Sequence, residues 1–130
     1  MKTTLALAAL AAIIVTPALA GEGTMKMGVA TSVQSSFCLK LDDLREIKDY
    51  ALAHNSDGYT AWKQKVAEGK CADTTFMQAV PIQTIPDIAW KDSTVGDIMA
   101  VQFRVTKKDG TKMDIYGLFG PEQIDNGRAT

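Results

Sequence analysis

The spacing of apolar and polar positions divides the chain into a helical half and an alternating half. Leu41, Leu44, Ile47 and Ala51 recur at steps of three, three and four, which lays them along one face of a helix. Asp43 and Glu46, near its start, stand in the D-x-x-E relation of a capping box. They would place acceptors and negative charge where the first amide N–H groups lack partners. The polar run His54-Asn55-Ser56-Asp57-Gly58 stops this helix and reverses the chain. A second helix is expected to bury Tyr59, Trp62 and Val66. Gly69 supplies a left-handed stop, and Lys70 suits the negative end of the dipole. Folded antiparallel, the two helices bring the start of the first beside the end of the second. That places Cys38 next to Cys71 and predicts a disulfide there.

After Cys71 the pattern alternates. Residues 78–85 make a strand through Val80 and Ile82. Pro81 cannot donate to a ladder, so this strand is expected at an edge or with a bulge. Pro86 should end it, with Ile88 and Trp90 continuing against the core before the polar turn at 91–94. The next stretch is the most sharply patterned. Met99, Val101, Phe103 and Val105 share one face of a strand, and Met113, Ile115, Gly117 and Phe119 share one face of another. Lys107-Lys108-Asp109-Gly110 lies between them. A two-residue turn at Asp109-Gly110 would oppose Val105 to Asp114, setting apolar against charged residues along the ladder. A three-residue turn with Gly110 left-handed opposes Val105 to Met113, Phe103 to Ile115 and Met99 to Phe119. It also pairs Arg104 with Asp114 across the strands. A slip of one residue would turn the apolar set outward, so this second register is predicted.

The N-terminus adds a destination. Residues 1–20 carry Lys2, an apolar run from Leu5 to Val15, Pro17, and the small-residue ending Ala18-Leu19-Ala20. This is the layout of a cleaved signal peptide, and the apolar run is too short to span a bilayer. Gly21 follows the expected cut, so no lipid anchor and no transmembrane segment are expected in the mature chain. The remaining residues, about 110, suffice for one small domain. In an exported chain of that size two cysteines imply a structural disulfide rather than a metal pair. Location in a bacterial periplasm, or secretion, is the expectation.

The expected fold is therefore α+β. Residues 21–36 form a flexible or edge-strand segment, with Met25, Met27 and Val29 alternating. Residues 37–130 form one domain, with a disulfide-closed helical hairpin over 39–69 and an antiparallel sheet of three or more strands over 78–120. A partly closed barrel of SH3-like type would suit so short a sheet. The apolar face of the strand hairpin is expected to pack on Leu44, Ile47, Trp62 and Val66.

Composition and chemistry narrow the function by what they omit. The whole chain carries a net charge of −1, and losing Lys2 with the leader makes it slightly more acidic. That gives no footprint for nucleic acid. His54 is the single histidine and falls in a polar turn, which suits neither a triad nor a His-based metal site. Asp42 and Asp43 are adjacent and would diverge on a helix. Asp87, Asp92 and Asp97 lack the alternation of a calcium loop. No glycine run cradles phosphate, and no cofactor is expected. Met25 and Met27 form a Met-x-Met, a spacing that thioethers use for Cu(I); packing is the plainer reading. Surface remains. Gln102, Arg104, Asp114 and Tyr116 project from the non-apolar side of the strand hairpin, and Trp90 is either a core plug or an exposed anchor beside them. The reading that follows is a non-catalytic periplasmic binding or accessory protein acting on an envelope protein through Trp90, Gln102, Arg104, Asp114 and Tyr116. An inhibitor, an immunity-type protein or an assembly component would be an example. The alternatives are a small envelope hydrolase and a copper carrier through Met25 and Met27.

Overall fold

The structure is a computed structural model and describes residues 24–125; the signal-peptide expectation over 1–20 lies outside them. Among these residues six strands, two α-helices and one short 3-10 turn follow in order: β1 (Met25–Lys26), β2 (Thr31–Cys38), α1 (Leu41–Ala53), α2 (Tyr59–Ala67), β3 (Cys71–Asp92), β4 (Gly96–Thr106), β5 (Lys112–Phe119), the 3-10 turn (Pro121–Gln123) and β6 (Ile124–Asp125). The principal sheet is antiparallel and runs β2-β3-β4-β5. β2 also pairs with β5, through Ser36–Leu118, Phe37–Gly117 and Cys38–Tyr116. The ladder therefore closes into a ring, with a final join three pairs long. Within the described residues no helix is long and apolar enough to cross a membrane.

The strand hairpin has the predicted register. Val105 opposes Met113, Phe103 opposes Ile115, Met99 opposes Phe119, and Arg104 opposes Asp114. The turn closes with the Lys107 N–H donating to the Thr111 carbonyl, and Gly110 sits at φ +90°, the left-handed position that a three-residue turn needs. The apolar face, however, does not pack on the helices as expected. Val101, Phe103, Val105, Ile115 and Phe119 line the inside of the ring with Val33, Phe37 and Ala79. Closure of the ring consumes that face. The helices lie on the opposite face, where Leu44, Ile47 and Ala51 meet Ile88, Trp90 and Ala100, flanked by Ile98, Tyr116 and Leu118.

The polar stretch 31–36 conceals a full strand. β2 is no edge, because it bonds β3 along its length and β5 at its end. Only Val33, Phe37 and Cys38 of its eight residues are buried, and Ser35, between Val33 and Phe37 on the same face, interrupts the apolar alternation. The helical hairpin thus precedes three strands of the sheet and is inserted after the first. β3 is longer than expected. It takes the bulge at Pro81, where the register shifts before Gln83, and a second shift between Ile85 and Ala89 absorbs Pro86 without ending the strand. Bulges let a strand turn from one partner to another, and β3 leaves β2 for β4 at Ala79.

Helix α1 buries the predicted Leu44, Ile47 and Ala51. Its start is not a capping box: Lys40 is the N-cap residue and no side chain caps it. Asp43 and Glu46 instead bond Lys65 of α2, Asp43 at 3.0 Å. This corrects the expected face of α2. Lys65 is buried, while Tyr59 and Val66 are exposed and Trp62 only partly packed. The ammonium needs the carboxylates more than Val66 needs the small contact available beside them, since an unpaired buried charge is the costlier state. The helix ends as predicted. Gly69 is at φ +77°, the Gly69 N–H donates to the Val66 carbonyl, and the Lys70 N–H donates to the Lys65 carbonyl, the two bonds of a Schellman motif. Cys38 and Cys71 form the predicted disulfide, although they lie on paired strand ends rather than at helix ends.

Candidate protein-binding face

Outward from β3, β4 and β5, four side chains form one hydrogen-bonded row. Arg104 and Asp114 oppose each other in the hairpin, so their side chains rise together on the outer face. Arg104 donates through Nε to Asp114 Oδ1 at 2.8 Å and through Nη2 to Oδ2 at 3.2 Å. Gln102 Nε2 donates to Asp114 Oδ2 at 2.9 Å, and Gln83 Nε2 donates to Gln102 Oε1 at 2.7 Å. Arg104, the nearest opposite charge, holds the Asp114 carboxyl below its ordinary value against the upward pull of burial, with Gln102 assisting. Asp114 in turn raises Arg104. The row is a preorganised set of amide, carboxylate and guanidinium groups at the surface. Fixed polar groups of this kind set register and specificity in protein contacts more than raw affinity.

Of the five residues singled out for partner contact, the structure gathers Gln102, Arg104 and Asp114 in this row. Tyr116 is opposite Gln102 in the ladder but leans toward the helices and packs beside the second core. Trp90 is the plug. It is buried, and its indole N–H donates to Asp92 Oδ2 at 3.0 Å. Gly58 lies over it, since a Cβ there would come within 3.3 Å of the Trp90 ring. Gln83, which joins the row from β3, gave no signal in the sequence, because bulges set its direction.

Two charge centres, Asp92 and the Lys65–Asp43 pair, organise the helical side. Asp92 accepts from the Gly58 N–H, the Trp90 indole and the Thr94 and Val95 N–H groups. Burial pushes this carboxyl up, yet the four hydrogen bonds together hold it below its ordinary value. It ties the inter-helix turn to the β3–β4 turn, and the Ser93 N–H reinforces this with a 2.7 Å bond to the Ser56 carbonyl. Lys65 is held above its ordinary value by hydrogen bonding to Glu46 first, opposed by burial and helped by Asp43. Both are joints of the fold, with every partner satisfied.

The remaining candidates fall elsewhere. Met25 is buried in the enclosed core and opposes Ile124 in a short parallel pairing of β1 with β6, and Met27 packs against the same core. These thioethers are packing groups. His54 is exposed in the inter-helix turn, its ring stacked on Tyr50 at 3.8 Å. Among the described residues no three His, Cys, Asp or Glu side chains are grouped to hold a metal. A shallow groove of about 290 Å³ bordered by Ser36, Asp97 and Glu122 lies beside the β2–β5 join. No protein-family model, curated protein or solved structure matches this chain.

Proposed function

We propose that this is a small exported, non-catalytic binding or accessory protein that engages an envelope protein through the outer face of β3-β4-β5. The observation that carries this reading is the Gln83–Gln102–Asp114–Arg104 row. Its side chains are ordered by one another before any partner arrives, which lowers the entropy cost of binding. The leader-like N-terminus and the disulfide supply the export half of the proposal. On this reading the four-strand ring is a barrel of SH3-like type, serving as a rigid support for the face.

The test is recovery of the tagged protein from its native host, with bound proteins read by mass spectrometry. A stoichiometric envelope protein is expected, and Arg104→Glu combined with Gln102→Ala should weaken its binding about tenfold or more. The Tm of the variant should stay within a few degrees, because both side chains are at the surface. Recovery of no partner, or of one indifferent to these changes, would refute the proposal.

A further inference from the structure

One edge of the ring is left unpaired, and it is complementary to itself. β5 bonds β4 over its whole length, Lys112 to Phe119. On its other side it bonds β2 only from Tyr116 to Leu118. The Lys107–Thr111 bond at the turn fixes the alternation: the amides of 113, 115, 117 and 119 face β4, and those of even-numbered residues face the other way. Tyr116 and Leu118 spend theirs on β2. The N–H and C=O groups of Lys112 and Asp114 have no backbone partner among the described residues.

We propose that this edge joins a second copy of the same chain, β5 against β5, antiparallel about a two-fold axis at Met113. The register follows from charge and hydrogen bonding together. Only pairings of even-numbered residues with even-numbered residues use the free groups. Centring on Lys112 would oppose two lysines, and centring on Asp114 would oppose two aspartates. Centring on Met113 opposes Lys112 to Asp114 of the second copy, twice, with each pair exchanging both backbone hydrogen bonds. The same placement brings the two Met113 residues together on the core-facing side, where this side chain is only partly buried. A closed two-fold contact uses one patch on both copies, as this one does. It would extend the outer face into one sheet, β3-β4-β5 continued by the same three strands of the second copy. Lys and Asp on an edge can also serve to keep strands apart, and the charge pattern decides against that role: the two signs are placed to attract in this single register.

Sedimentation velocity on the purified full chain tests the pairing, which needs no other partner. A concentration-dependent dimer is expected, weak because the shared edge is short. Lys112→Asp sets like charges opposite each other twice while sparing the Arg104–Asp114 pair, and should weaken the dimer about tenfold or more. Lys112→Asp and Asp114→Lys together with Arg104→Glu restore opposite charges both across the seam and across the hairpin, and should recover most of the loss. Met113→Cys should form a disulfide-linked dimer on mild oxidation, whereas Lys108→Cys on the turn should not. A monomer at millimolar concentration overturns the proposal. So does a dimer insensitive to both the charge swap and the Met113 cross-link, which would be using another surface. A monomeric chain that still bound its envelope partner would refute this contact and leave the outer face standing.

Discussion

Gly117 faces the enclosed core, and its missing side chain makes room for Phe37. A Cβ at this position would lie 2.7 Å from the Phe37 ring and 2.8 Å from that of Phe119. Phe37 is the hub of the aromatic cluster, meeting Phe76 at 5.0 Å, Phe103 at 5.7 Å and Phe119 at 6.0 Å, all edge to face. The backbone here is ordinary strand, so alanine would normally be harmless or slightly stabilising. Here the overpacking should dominate, and Gly117→Ala should cost about 2–3 kcal/mol. Urea unfolding would read this directly as a lower midpoint; an unchanged or raised midpoint would show that the ring moves aside freely. By alternation Gly117 falls on the apolar face of its strand, with nothing nearby in the sequence to say why a glycine stands there. Only Phe37, eighty residues earlier, gives the reason.

At the level of the element, α2 shows how one ion cluster rotates a helix. Its apolar positions Tyr59, Trp62 and Val66 share a face by spacing, yet Lys65 is the residue turned inward. Asp43 is buried on the facing helix, and its carboxylate needs a cation there. Lys65→Ala should therefore cost about 3 kcal/mol, the usual scale for leaving one member of a buried pair behind. Replacing both partners, Lys65→Met with Asp43→Leu, should recover most of it, since apolar groups of similar size often substitute for such a pair. Thermal unfolding of the single and double variants decides the matter. A Lys65→Ala protein of native stability would mean that packing of Trp62, not the ion cluster, seats α2.

Across the whole molecule, two cores share one sheet, and the disulfide belongs to the one beneath the helices. Cys38 and Cys71 oppose each other at the ends of β2 and β3, with Cα atoms 4.0 Å apart. The bridge closes a loop with a sequence separation of 33 residues that contains both helices. Constraining such a loop in the unfolded chain is worth about 3–4 kcal/mol. Cys38→Ala with Cys71→Ala should lower stability by about that amount, measured by urea unfolding. The helical hairpin should loosen first, as amide exchange would show in α1 and α2 before β4 and β5. Uniform loss of protection would instead mean that the two cores melt as one unit.

Short-range pattern was enough for the first helix, the second strand hairpin and the disulfide. The hairpin register followed from period-two alternation and one glycine, because a slip inverts every side chain. The first helix, the Gly69 stop and the disulfide followed from spacing within about thirty residues. The Arg104–Asp114 pair that anchors the candidate face was legible for the same reason, since it depends only on that register. Which face meets which was left to long-range contacts. Closure of β2 onto β5 turned the apolar hairpin face into an enclosed core and sent the helices to the other side, burying Trp90. That choice depends on contacts between residues far apart in the chain, and neither β2, with Ser35 interrupting its inward face, nor the bulged β3 announces its partners through periodicity. A hydrophobic pattern states that a face must be covered; only the closed chain settles what covers it.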